Sequence, residues 1–351
     1  MELLEALRGN TAAVQGFKAR VLPFGAILAA LAVGAVLLLS LRVNPLVAYG
    51  QMVLGALGSL SGLTETLVKT TPLLLAGLSV ALAFNCGLWN IGAEGQLYVG
   101  ALATVGIGIN QLHLPSLILL PLAIILGFFI AGLWGAIAGL LKVRLQANEV
   151  IVTIMMNYIA ILGASYLVNG PWATGIYPIT KSIEASARLP VLLPGTRLHA
   201  GFLIALAAAI LLYLLIFRTR VGYEIRAMGH NLDAARYAGM RVNRNVVTAM
   251  GISGGLAGLA GVGEVAGIHH AMMENISPGY GYTAILVALL GKLHPLWIIL
   301  SSFLFSALYV GADAMQRAVG IPTAMVWVIQ GLLVLFILGS RLLRRYGGFS
   351  N

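Results

Sequence analysis

The chain has 351 residues, 60% of them hydrophobic and only 9% charged, with a formal net charge of +10. A soluble domain carries about 25% charged residues, so this composition excludes a soluble globular protein and implies a polytopic membrane helix bundle. The basic residues cluster in loops between apolar runs, which excludes a nucleic-acid-binding face and fits the inner loops of a membrane protein.

Residues 1–20 read as a cytoplasmic N-terminal segment. The apolar run 21–41 has the length of a spanning helix and exceeds the roughly 7–15 residues of a signal-peptide core, so it reads as an uncleaved span. Residues 47–60 are Gly-rich and short, and read as a re-entrant or interfacial helix. Further spans are predicted at 66–85, 91–111, 115–141, 150–169, 199–217, 245–267, 280–291, 296–312 and 322–340, the eighth of them short. The fold class is therefore all-α, with about ten transmembrane helices in one domain over 21–340, followed by a basic tail at 341–351. Fifteen of the 21 Lys and Arg fall on the side of the N-terminus, which places both termini in the cytoplasm. The single cysteine, Cys86, excludes an internal disulfide and a cysteine-built metal site, and reads as a buried inert thiol.

Several polar features interrupt this pattern. FNCGLWNIGAEGQLYVG, residues 84–100, joins the second and third spans and carries Asn85, Trp89, Asn90, Glu94 and Gln96 among Gly87, Gly92 and Gly95. Glu94 is the one charged side chain between Thr70 and Leu141. A charge at the bilayer centre costs on the order of 2.5 kcal/mol or more, so Glu94 either faces a cavity or partner, or sits at the inner mouth and caps the third span. In LQANEVIVTIMMNYIA, Asn148 and Glu149 read as caps of the fifth span, while Asn157 and Tyr158 lie deeper and either bond a neighbouring helix or line a polar route. Amides and aromatic rings offer a neutral solute stacking faces and hydrogen bonds without fixed charge.

The outer segment 169–199, rich in Pro and Gly, and the shorter 268–282 are each either a connecting loop or a docking surface. Between the sixth and seventh spans, residues 218–244 are polar and basic but helix-forming. Gly222 precedes a predicted helix containing Glu224 and Arg226, Gly229 and His230 interrupt it, and Asn231 caps a second short helix with Asp233 in its first turn. Gly239 stands where that helix would end left-handed, and Ala234, Ala235 and Ala238 leave one side small enough for another protein to approach. Gly254, Gly255, Gly258 and Gly261 have the spacing of close helix packing. Glu264 is expected to pair with a loop residue, Asp313 with Arg317, and adjacent His269 and His270 lack the i, i+4 spacing of a helical metal site. Gly291-Lys292 is followed by Leu293, so no phosphate-binding loop is present, and no nucleophile–base set appears. The chain carries no motor of its own.

Three stretches, FNCGLWNIGAEGQLYVG, ANEVIVTIMMNYIA, and GYEIRAMGHNLDAARYAGMRVNR with the following GISGGLAGLAGVGEV, resemble the permease subunits of bacterial ABC importers for branched-chain amino acids, simple sugars and nucleosides. The first two are similar to the nucleoside-type branch. The resemblance implies a multi-pass protein of the bacterial inner membrane with pseudo-twofold symmetry. It implies a second related permease chain, a cytoplasmic ABC ATPase that uses ATP and Mg, an extracytoplasmic solute-binding protein or lipoprotein, and no cofactor on this chain. It makes Gly222, Glu224, Arg226, Gly229, His230, Asn231, Ala234, Ala235 and Gly239 the candidates for coupling to the ATPase. Asn85, Trp89, Asn90, Glu94, Gln96, Asn157 and Tyr158 are the candidates for the solute pathway. Purine nucleosides are the expected cargo, with ribose or another sugar as the alternative. A secondary transporter with Glu94 as carrier acid and a non-transporting membrane subunit are the readings of other classes.

Overall fold

The computed structural model describes residues 25–339, except 26, 27, 111, 112, 323, 326, 330, 333, 334, 337 and 338. The N-terminal segment 1–20 and the tail 341–351 lie outside the described residues, and the last expected span, 322–340, is described in part. In chain order the helices are α1 (Leu28–Ser40), α2 (Pro45–Leu57), α3 (Leu60–Asn85), α4 (Ala93–Gly108), α5 (Ser116–Leu145), α6 (Glu149–Asn169), α7 (Gly201–Arg218), α8 (Arg220–His230), α9 (Leu232–Tyr237), α10 (Val242–Gly263), α11 (Tyr280–Leu290) and α12 (Pro295–Val319). By length and composition α3, α5, α6, α7, α12 and α10 with its extension to His269 can each cross a membrane. The pair α1–α2, bent by 118°, raises the number to seven among the described residues. The expected ten is not reached. α4 has 16 residues and α11 only 11, both short for a full crossing, and the last span is incompletely described.

The chain divides into two compact units, residues 1–62 with 307–351, and residues 63–306. In the first, Asn44 accepts from the N–H of Leu46 at 2.9 Å and Pro45 opens α2, so the bend after α1 is capped rather than frayed. Ala30, Leu38, Ala48, Ala312, Met315, Ile321 and Ile329 form its core. Among the described residues, Asp313 and Arg317, near the end of α12, make no ion pair. Their expected bridge fails although the i, i+4 spacing permits it, and a solvated pair of this kind contributes little.

The second unit is built on glycine. A Cβ at Gly100 of α4 would lie 2.2 Å from the carbonyl oxygen of Gly258 in α10, and one at Gly258 would lie 2.3 Å from Ala131 of α5. Gly254 meets the Ala131 carbonyl, and Gly261 meets that of Leu97, so the expected role of this glycine run is what the helices show. Without side chains at these points the three backbones approach to van der Waals distance, the main source of helix cohesion where lipid removes the hydrophobic drive. α3 and α10 are the most enclosed spans, whereas α5, α6 and α7 expose much of their length.

After α6, β1 (Ala173–Thr174) and β2 (Tyr177–Thr180) form a small antiparallel hairpin in the segment expected on the outer side. The N–H groups of Thr180, Ile183 and Leu189 donate to the carbonyls of Met272, His270 and Ala266 at 2.9, 2.8 and 2.9 Å, which joins the two outer segments into one ordered surface. The end of α10 widens into a π-helical turn, Glu264–His269. Glu264 is buried there, 3.4 Å from His269, a residue of the predicted outer segment that the structure places in the same turn. Among the described residues no His, Cys, Asp or Glu group is arranged to hold a metal. Cys86 is free and buried.

The packing fixes the sign of two substitutions. Gly100→Ala is expected to cost about 1–3 kcal/mol of stability, because backbone must shift to admit the methyl. Gly163→Ala on α6, where a Cβ meets nothing within 4 Å, is expected to be neutral or stabilising by about 0.4–1 kcal/mol. Thermal unfolding midpoints of the purified protein in detergent check both.

Candidate functional site

Between α7 and α10 the chain folds into a helical hairpin. Thr219 accepts from the N–H of Gly222 at 3.1 Å, so α8 starts at Arg220 and Gly222 lies inside its first turn rather than before it. There is no room for a side chain at Gly222, because a Cβ would lie 2.0 Å from the Leu215 carbonyl oxygen. Asn231 ends α8 and caps α9, accepting from the N–H of Ala234 at 3.0 Å, with Asp233 in the first turn. Gly239, at φ +73°, ends α9 in the left-handed region that favours glycine.

One expectation for this hairpin is corrected. Ala235 is only 3% exposed, because the chain turns back after α9 and the N–H of Met240 donates to the Ala235 carbonyl at 3.1 Å. The surface offered to the aqueous side consists instead of His230, Asn231, Leu232, Asp233, Ala234, Arg236, Tyr237 and Ala238, with Tyr237 94% exposed. Arg226 is half-buried, its guanidinium 5.0 Å from the centre of the Phe217 ring.

Glu224 faces inward along the hairpin. Its Oε2 accepts from Asn245 Nδ2 at 2.7 Å, and its Oε1 lies 3.2 Å from Arg220 Nε. The Asn245 amide, with Arg220 and Arg241, holds its carboxyl below the usual carboxylate range. The bond between α8 and α10 is therefore present at neutral pH and is lost as pH falls through that depressed value. Arg220, Tyr223, Glu224, Arg241, Arg244 and neighbouring residues line a cleft of about 500 Å³ at this base.

The hairpin bears directly on the membrane part. A Cβ at Gly229 would lie 2.2 Å from the carbonyl oxygen of Asn85, the last residue of α3, and 3.3 Å from the N–H nitrogen of Gly87. Gly87 itself is at φ +77°. Asn85 also donates to the carbonyl of Leu293, in the turn between α11 and α12, at 2.9 Å. Residues of α8, the end of α3 and the α11–α12 turn thus meet at one point.

Beyond Gly87 the chain runs without regular structure to α4, and the remaining candidates line this stretch. Asn90 Nδ2 donates to Ser253 Oγ at 2.8 Å and to Gln96 Oε1 at 3.1 Å, and its Oδ1 accepts from the N–H of Gly92 at 2.9 Å. Ser253 in turn donates to the carbonyl of Ser79 at 2.8 Å. Asn157 Oδ1 accepts from the N–H of Gly95 at 2.8 Å, and its Nδ2 donates to the carbonyl of Ile91 at 2.9 Å. Glu94 Oε2 accepts from the N–H of Gly281 at 2.6 Å, so this acid sits at the start of α11 as well as of its own helix. Asn90, Glu94, Gln96 and Asn157 are all buried, whereas Trp89 and Tyr158 are exposed. The Trp89 ring lies 4.9 Å from that of Phe84.

Ser253, Ser79, Thr153, Asn245, Gly281 and Tyr282 complete these networks and were not singled out by the sequence pattern. Asn245, a lone amide opening a span, and Ser253, a hydroxyl within a glycine run, carried the only local signals.

Comparison with known proteins follows the same ground. A glucose ABC transporter permease protein of Haloferax volcanii is 39% identical over 336 residues, covering 92% of this chain and 88% of its own. A guanosine ABC transporter permease protein of Bacillus subtilis is 39% identical over 327 residues, covering 92% and 94%. A nucleoside ABC transporter permease protein of Lactococcus lactis is 33% identical over 326 residues, covering 90% and 89%. The same Bacillus and Lactococcus species each have a second permease protein, named for the same cargo, at 26% and 24% identity. No solved structure matches the chain. The family model described as branched-chain amino acid transport system / permease component matches residues 62–338. With this match and these relatives, the chain belongs to that family, as a multi-pass ABC transporter permease subunit that is not itself an enzyme.

Proposed function

We propose that this permease imports nucleosides across the cytoplasmic membrane by alternating access, with the α8–α9 hairpin as its coupling element. Both termini lie in the cytoplasm, as the distribution of Lys and Arg supports. A separate ATPase supplies ATP hydrolysis with Mg and docks on the exposed face from His230 to Ala238. The chain pairs with a related permease, a reading supported by the second permease protein of the same named cargo that each nucleoside relative's organism has. A solute-binding protein or lipoprotein docks on the joined outer segments.

The observation that carries the coupling role is the seat of Gly229 on the Asn85 carbonyl. With no side chain between them, movement of the hairpin transmits to the end of α3 and the α11–α12 turn without slack. Coupling follows because the two states of the bundle then hold the hairpin differently, and a motor that prefers one hairpin position shifts the bundle. Two relatives named for nucleosides support the cargo. The glucose permease, equally similar at 39%, keeps a sugar as the second reading.

Gly229→Val is expected to lower solute uptake about tenfold while ATP hydrolysis by the assembled importer stays within about twofold of wild type. Equal loss of both, or of inserted protein, would point to assembly rather than coupling. The cargo is tested by uptake of labelled guanosine and adenosine in cells with and without this chain, with excess ribose or glucose as competitor. Loss of nucleoside uptake on deletion, insensitive to either sugar, is the expected result. Retained nucleoside uptake with lost sugar uptake would move the cargo to sugars.

A further inference from the structure

Two apolar helices of the bundle are short for a full crossing. At about 1.5 Å per residue, the 11 residues of α11 rise only roughly 16 Å from the cytoplasmic turn at Lys292, about half of an apolar core of ~30 Å. α4, with 16 residues, spans roughly 24 Å. Their N-termini meet. A Cβ on Gly281 would lie 2.2 Å from the backbone nitrogen of Glu94, and the Gly281 N–H is the donor to the Glu94 carboxylate. Paired half-helix N-termini of this kind attract anionic solutes. Here a carboxylate of the chain already occupies the position, which leaves the junction suited to a neutral one.

Tyr282 follows Gly281 directly. The N–H of the preceding Gly281 is held by Glu94, and the Tyr282 hydroxyl lies 3.4 Å from Asn157 Nδ2, on the amide whose oxygen also holds the start of α4. The ring is 42% exposed. Tyr158, next in sequence to Asn157, is 56% exposed. Tyr rings that face lipid gather at the interfaces, where the hydroxyl reaches water. A partly exposed phenol bonded to an amide, close to a buried carboxylate and at the start of a short helix, suits a side of the bundle that receives solute better than one that faces lipid.

The geometry points to Tyr282 as a solute-contacting residue that stacks on the base of a neutral nucleoside, with Glu94 and Asn157 as its positioning residues. This rests on the nucleoside reading above. The test is adenosine and uridine uptake by the complete importer (this chain, its permease partner, the ATPase and the binding protein) in proteoliposomes. Tyr282→Ala is expected to lower maximal adenosine uptake about fivefold and uridine uptake about twofold or less, because the larger purine face loses more stacking. Tyr282→Trp restores the purine preference. Glu94→Gln, whose amide oxygen still accepts from Gly281, keeps it, and Glu94→Ala loses it as Tyr282→Ala does. Uniform loss of both nucleosides in Tyr282→Ala, or no loss of either, overturns the inference, since a packing defect does not distinguish bases. A wild-type importer that moves neither nucleoside overturns the cargo reading and this inference together, whereas normal wild-type uptake with uniform loss in the variant overturns this inference alone.

Discussion

The structure depends on one requirement: backbone polar groups inside a bilayer must find partners within the protein. Helices satisfy it automatically, and the chain departs from helix at two places in its interior, between α3 and α4 and before α11. At the first, Asn90 of the linker itself and Thr153 and Asn157 of α6 supply the missing partners. At the second, Ser277 accepts from the N–H of Tyr280 and Glu94 from that of Gly281. The polar side chains that stand out in an otherwise apolar sequence are therefore those that make broken backbone tolerable. What the breaks allow is two short helices, α4 and α11, whose starts meet inside the bundle.

The glycines do complementary work. Gly100, Gly258 and Gly261 bring α4 and α10 together at backbone distance, and Gly127, Gly132 and Gly135 do the same for α5. Interfaces of this kind are close and nearly flat, so they resist separation while permitting small sliding movements. Gly229 extends the same device to the water side, where it lets an amphipathic hairpin rest on the bundle without an intervening side chain. The molecule is thus held by small residues in its centre and reached by one small residue from outside.

Much of this was legible in the sequence because the signals are local. The boundaries of α5, α6 and α10 follow from apolar length, and Asn148, Asn231 and Gly239 announce helix ends by residue type at the right offset. What escaped are pairings between distant segments. Glu94 and Gly281 are 187 positions apart, and Ser79 and Ser253 are 174. A glycine or serine carries no mark of the partner it will meet, so the acid could be read equally as a lining group or a cap of its own helix. Ala235 failed for a related reason. An alanine face on a six-residue helix looks the same whether it meets a partner protein or the chain's own return.

The outer surface has a further property that follows from how it is tied. Strand β2 and the segment after it are bonded by backbone groups to the stretch from Ala266 to Met272, which continues directly from the π-helical turn of α10. A turn with an extra residue per loop is the easiest place in a helix to add or remove one residue of winding. Load applied to the hairpin would therefore be delivered as torque on the top of the most enclosed helix but one. In a rigid cylinder such torque would be carried to the opposite leaflet, but in α10 a single wide turn can absorb it by rewinding.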